Sequence, residues 1–271
     1  MAKTPHRAVK AYYDRKFMES PDARPVRMLS EYLEPLERFE DYNIKDTILV
    51  FGSARTPSRE EAEAALAKAR ASGEGVPAAE MGLRMSRYYE DTRRLAFRLT
   101  EWSKGLASGG RRFVICSGGG PGIMEAANRG ASEARGENMG LGISLPFEQD
   151  NNPYITRRLD FEFHYFFMRK FWFLYLAKAV VMMPGGFGTL DELFEALTLV
   201  QTRKIRKKLP VVLYGSDFWD KVVNFDVLVE FGTISPEDVA LFHRSDSVDD
   251  AFDFVTSELK DYALGHPGIG L

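Results

Sequence analysis

The sequence predicts an α/β fold: a doubly wound parallel sheet with helices on both faces, preceded by a helical N-terminal extension. Two observations carry this. Strand-length runs of four to six residues, nearly all Val, Ile, Leu or Met, alternate with helical patterns, which is how a parallel sheet buried on both faces reads. Two glycine-rich turns, Cys116-Ser117-Gly118-Gly119-Gly120-Pro121-Gly122 and Met183-Pro184-Gly185-Gly186-Phe187-Gly188-Thr189, each join an apolar strand to a helix. Clustered glycines let a backbone approach a ligand closely, and a helix N-terminus points unpaired N–H groups at it. Two such turns imply a site for a phosphate-bearing small molecule.

The first 25 or so residues read as a loose arm containing Pro5, Pro21 and Pro25. Leu29, Leu33, Leu36 and Phe39 follow helical spacing, so Arg27 to Glu40 reads as an amphipathic helix in which Pro35 marks a kink or an internal end. Residues 1–45 make this extension, and residues 46–271 the α/β domain proper. Thr47 to Phe51 is the first strand, running into Gly52-Ser53-Ala54-Arg55. Ser58 and Glu61 have capping-box spacing ahead of an alanine-rich helix ending near Ala71. A Gly/Pro break from Gly73 to Pro77 separates it from a longer helix, Met81 to Lys104. Further strands are expected at Arg112 to Ile115, Gly140 to Leu145, Leu159 to Phe163, Ala179 to Met183 and Pro210 to Tyr214. Helices are expected behind each glycine turn, from Asp217 to Glu230 and from Val248 to Lys260.

With 271 residues, 45% hydrophobic and 28% charged, the chain has the composition of a globule with a sizeable core. A net charge of −3 argues against nucleic acid and acidic membranes as partners. Four histidines and the lone Cys116 make no zinc or iron–sulfur constellation, and one cysteine allows no internal disulfide, as expected of a cytoplasmic protein. Met1 to Lys10 is polar and basic, without the apolar core of a signal peptide. The most hydrophobic stretch, Phe161 to Met183, is interrupted by His164, Arg169, Lys170 and Lys178, so it reads as a buried helix and strand rather than a membrane span.

The first turn lacks the third glycine of a dinucleotide fingerprint, because position 123 is Ile, and no Walker lysine follows it. Alone, it is as well explained by a tight strand–helix connection, with Pro121 near the favoured first helical position. In the second turn, Thr189 and Glu192 have the spacing of an N-cap and its capping-box partner. A cap gives no reason for Gly185, Gly186 and Gly188, whose chain entropy is costly unless the backbone or a ligand requires them.

Pro184-Gly185-Gly186-Phe187-Gly188-Thr189-Leu190-Asp191-Glu192 together with Ser117-Gly118-Gly119-Gly120-Pro121-Gly122-Ile123-Met124-Glu125-Ala126-Ala127-Asn128 resembles the Lonely Guy family, cytokinin-activating phosphoribohydrolases long mislabelled lysine decarboxylases. The resemblance spans roughly Thr47 to Tyr214. The N-terminal helix and the Ser58 to Lys104 insertion look like its longer bacterial branch, which includes nucleoside 5′-monophosphate nucleosidases. It implies a Rossmann-like nucleotide-binding catalytic domain with no cofactor and no metal. It also implies hydrolysis of the N-glycosidic bond of AMP or a cytokinin riboside 5′-monophosphate, giving free base and ribose 5-phosphate. The family's catalytic arginine and glutamate map to Arg169 and Glu192; many members carry His two residues before the arginine, where this chain has Phe167. On the same resemblance Gly185, Gly186, Gly188 and Thr189 cradle the 5′-phosphate. Gly52, Ser53, Arg55, Gly118, Gly119, Gly120 and Lys170 contact phosphate, ribose or base. Glu125 contacts the ribose, or is simply a surface helix glutamate.

These residue types suit the reaction. Loss of a base from C1′ builds positive charge on the ribose, which a fixed carboxylate can stabilise. Arginine can hold a nucleotide by a bidentate contact that lysine cannot copy. The plainer account of Arg169-Lys170 is a pair of cations snorkelling from an apolar helix. Cys116 reads as a small core residue, and Arg203 to Lys208 as a solvated helix end or, less simply, a regulatory anion site. Apolar residues run nearly all round Phe166 to Leu176, so that helix is buried or completed by a second subunit, and family members are dimers or assemblies of dimers. The rival to an enzyme is a nucleotide-binding carrier or sensor of the same fold; Arg169 and Glu192 favour the enzyme, since a pure binder needs no carboxylate beside an anion.

Overall fold

The computed structural model describes residues 8–106, 110–146 and 150–266, so the expectations resting on Pro5 and the start of the arm lie outside the described residues. In chain order the elements are α1 (Arg15–Met18), α2 (Arg24–Asp41), β1 (Thr47–Phe51), α3 (Arg59–Ser72), α4 (Val76–Lys104), β2 (Val114–Ser117) and α5 (Ile123–Glu133). There follow β3 (Asn138–Ile143), β4 (Asp160–Phe163), α6 (Phe166–Leu176), β5 (Ala177–Met182) and α7 (Phe187–Gln201). The last are β6 (Val211–Tyr214), α8 (Ser216–Val222), α9 (Phe225–Glu230), β7 (Phe242–Ser245) and α10 (Val248–Glu258). The strands form one parallel sheet in the order β4-β3-β2-β1-β5-β6-β7. The fold is the expected doubly wound α/β architecture, and every residue of β1, β5 and β6 is buried.

Alternation along β1 divides the core. Leu49 and Phe51 face a layer with Phe39 of α2, Trp172 and Phe173 of α6, Leu193 of α7 and Trp219 of α8. Ile48 and Val50 face the other layer, with Leu95 and Leu99 of α4, Ile123 and Ala127 of α5 and Val255 of α10. The insertion thus belongs to the second layer. Gly130 lets α4 and α5 cross closely, because a Cβ there would overlap the Arg93 carbonyl. Arg93 then grips Glu133 with two hydrogen bonds of 2.7 Å.

Several boundaries differ from expectation for identifiable reasons. Ser58 and Glu61 form the capping box, and Gly73 ends α3 in the left-handed conformation, but α4 starts at Val76, since Pro77 is well suited to a first helical turn. Pro35 does not break α2. The Glu31 carbonyl, deprived of its i+4 donor by Pro35, accepts instead from Trp172 Nε1 at 2.9 Å. The helix expected from Asp217 to Glu230 is two, the second capped by Asn224. Edge strand β7 was not expected, because Phe-His-Arg-Ser carries no apolar run. The basic run is not a solvated helix end throughout: Lys207 is buried and its Nζ donates to the Leu174 and Tyr175 carbonyls at 2.8 and 2.9 Å, capping α6. Burial pushes that ammonium down to about 7. Among the described residues, no helix is long and apolar enough to cross a membrane.

Candidate active site

Parallel strands present all their C-terminal ends at one edge, where the segments after β1, β2, β3 and β5 surround a cleft of about 710 Å³. The chain leaves β1 toward β2 and later returns on its other side as β5, so the cleft lies at a topological switch point, where open α/β sheets bind ligands. Gly52, Ser53 and Arg55 line it after β1; Gly118, Gly120 and Met124 after β2; Gly142, Ile143, Leu145 and Asn151 beyond. Phe166 and Arg169 of α6 and Gly186, Phe187, Gly188, Thr189 and Glu192 at the start of α7 complete the wall. The volume suits a small-molecule ligand.

Arg169 Nη2 stands 3.7 Å from Glu192 Oε1, with 12% and 13% of the two side chains exposed. Arg169 Nε is buried without a hydrogen-bond partner. Burial pulls the Arg169 pKa down, with Glu192 opposing the shift. Burial also pushes Glu192 up to about 8, with Arg169 opposing. A buried guanidinium with an unspent donor is expensive, and an anionic ligand would relieve it.

The capping-box reading of Thr189 and Glu192 is overturned. Helix α7 begins at Phe187 with Gly186 as N-cap and no side-chain cap. Thr189 is therefore the third helical residue, packed so closely under Gly185 that a Cβ there would overlap its hydroxyl. Glu192 is left to face Arg169.

The structure brings most of the expected site residues together but not all. Glu125 accepts from Tyr89 Oη at 2.7 Å on the α4 side, outside the cleft lining. Lys170 reaches Asp191 and Glu195 at 2.8 and 3.3 Å and does not line the cleft. Gly119 and Gly185 also stand behind the lining. Ser53 ties the turns together, donating its N–H to the Pro184 carbonyl at 3.0 Å. Cys116 is fully buried, and burial pushes its thiol up, as suits a core residue.

Sequence reasoning missed the amides behind the first turn. Asn152 Nδ2 donates to the Gly119 and Gly120 carbonyls at 2.9 and 3.1 Å and to Asn128 Oδ1 at 2.9 Å. Ser117 Oγ donates to the same Asn128 oxygen at 2.6 Å. Asn151-Asn152-Pro153 lies about 30 residues beyond the turn it supports, and no sequence motif links the two.

The chain is similar to several known proteins. The family model described as "possible lysine decarboxylase" matches residues 124–255, beginning just behind the first turn and including all of the second. Pyrimidine/purine nucleotide 5′-monophosphate nucleosidases of Escherichia coli K12 and O157:H7 are 27% identical over 166 residues, 57% of this chain and 35% of theirs. The chain therefore spans about a third of the length of the curated relatives it matches. Among solved structures, the structural-genomics target TM1055 has a TM-score of 0.47 at 19% identity, covering 78% of this chain and 99% of its own. A Moco carrier protein from Chlamydomonas reinhardtii has a TM-score of 0.45 at 17% identity, covering 80% and 99%. The fold and paired glycine turns define a doubly wound α/β protein with a small-molecule cleft at the switch point of its sheet. The family-model match covers the second of these turns and the helix behind the first, the same region in which the sequence resembles the Lonely Guy family.

Proposed function

We propose that the chain hydrolyses the N-glycosidic bond of a nucleoside 5′-monophosphate, AMP or a cytokinin riboside 5′-monophosphate, releasing free base and ribose 5-phosphate. The observation that carries this reading is the buried Arg169 and Glu192 pair, 3.7 Å apart, facing a cleft lined by both glycine turns. The 5′-phosphate sits on the amides around Gly186, Gly188 and Thr189 at the positive end of α7. Arg169 spends its free Nε on the nucleotide. The C1′–N bond breaks with its electron pair on the base, which takes up a proton, and water adds to C1′ and loses one. The Glu192 carboxylate stabilises the ribosyl cation and accepts the proton from water. Incubating the full chain with AMP, an N6-alkyl AMP and adenosine tests this. AMP should be cleaved at least ~10²-fold faster than adenosine, whose missing phosphate leaves C1′ unplaced. Equal rates on the two would remove the role given to the second turn.

We also place the outer face of α6 at a contact between two copies of the chain. Phe167 is 53% exposed, and with Phe171, Tyr175 and Ile205 it lines a groove of about 280 Å³. Sedimentation should give at least twice the 30.7 kDa of one chain. A fully active monomer would refute the assignment.

A further inference from the structure

We infer that Asn151 reads the base: its side-chain carbonyl is an acceptor held in the cleft for the amino group of a 6-aminopurine nucleotide. The ligand rests on the nucleosidase reading; the placement rests on the loop that carries Asn151.

Asn151 and Asn152 themselves are tied down. Next in the chain, Asn152 donates its backbone N–H to the Gly119 carbonyl at 2.8 Å, besides the three side-chain bonds already described. Asn151 Nδ2 donates to Asp160 Oδ1 at 2.7 Å. An ionised carboxylate only accepts, so the amide nitrogen faces Asp160 and Oδ1 is turned the other way. It lies between two glycines, 3.2 Å and 3.0 Å from where a Cβ of Gly119 or Gly142 would stand. Among the described residues no donor reaches Oδ1, and it is not one of the polar atoms sealed from solvent without a partner. An oriented acceptor with unspent capacity therefore lines the cleft.

Its place along the sheet edge selects the base. In the order β3-β2-β1-β5 the β3 end is three strand spacings, roughly 14 Å, from the phosphate cradle after β5. A nucleotide with its phosphate on the cradle carries its base toward β3. Met124, Ile143, Leu145 and Phe166 supply apolar surface for the base's faces, leaving Asn151 to address its edge. Adenine presents an N–H there, and an N6-alkyl adenine still keeps one. Hypoxanthine presents a carbonyl oxygen, setting two acceptors against each other, and an unpaired polar group costs more than a missing bond gains.

The test compares AMP with IMP on the full chain and on Asn151→Leu and Asn151→Ala, by base release and by calorimetric Kd. Wild type should favour AMP by about tenfold or more in both measurements. Both variants should stay folded, melting below wild type by no more than the lost bond to Asp160 explains, lose about tenfold on AMP and lose nothing on IMP, so the preference collapses. Equal handling of AMP and IMP by wild type, or equal losses on both in the variants, would overturn the assignment and leave the nucleosidase reading intact. Were wild type to release no base from any nucleotide, the hydrolase reading would fall, and the ratio of Kd values would still decide Asn151.

Discussion

The two glycine turns look alike in sequence and answer to different causes. In the first, the fold itself demands glycine. Gly119 and Gly122 have φ of +78° and +69°, and a Cβ on Gly122 would overlap the Ser53 carbonyl. Asn152, Asn128 and Ser117 then lock the turn from behind. In the second, Gly186 and Gly188 have no positive φ, and a Cβ on either would meet nothing within 4 Å. Among the described residues, nothing explains those two glycines. A ligand that must approach the backbone does, so the less constrained turn is the better evidence for a site.

The largest effect should come from Gly122→Ala. A left-handed backbone and a collision with the adjoining main chain should together cost about 3 kcal/mol or more, read as a lowered denaturation midpoint. A variant that melts with wild type would show that the first turn is not fixed by packing, and the contrast would dissolve.

Glu192→Gln comes next and acts on the second turn's helix. Turnover on AMP should fall about 10²-fold, because a neutral amide cannot match a carboxylate facing a developing cation. Stability should move the other way. The folded pKa of about 8 lies above the unfolded value of 4.5. The carboxyl's contribution is therefore complete below pH 4.5 and is lost as pH rises through about 8. The Gln variant lacks that loss, so it should gain on wild type in melting temperature between about pH 5 and 8.5. An active variant, or one that gains nothing on wild type across that pH range, returns Glu192 to a structural role.

Much of this was legible in the sequence because it rests on local signals. Apolar runs marked six of the seven strands described, and glycine clusters marked both turns at the correct edge of the sheet. What stayed hidden depends on partners distant in sequence. Thr189 and Glu192 matched a cap, but α7 starts at Phe187, two residues before Thr189, with Gly186 as its N-cap. Pro35 looked like a break because its substitute donor, Trp172, lies 141 residues from the Glu31 carbonyl it serves. Lys207 looked solvated because the carbonyls it caps belong to α6, more than 30 residues earlier. Asn151 and Asn152 carried no motif at all.

Gly188→Ala should have the smallest effect and draws the sharpest line between the turns. Position 188 is the second residue of α7, with helical backbone and open space where a methyl group would stand. Alanine there should leave the fold intact or stabilise it by about 0.5 kcal/mol, since glycine loses more chain entropy on entering a helix. The same methyl would project from the cleft wall, where the phosphate must reach the backbone amides. The KM for AMP should therefore rise about tenfold with kcat little changed, because the lost contact holds substrate and transition state alike. Stability and affinity then change in opposite directions at one residue. That pattern is expected only where glycine is kept for a ligand. An alanine variant with unaltered KM would leave the second turn as open loop geometry and shift the phosphate toward Gly118 and Gly120.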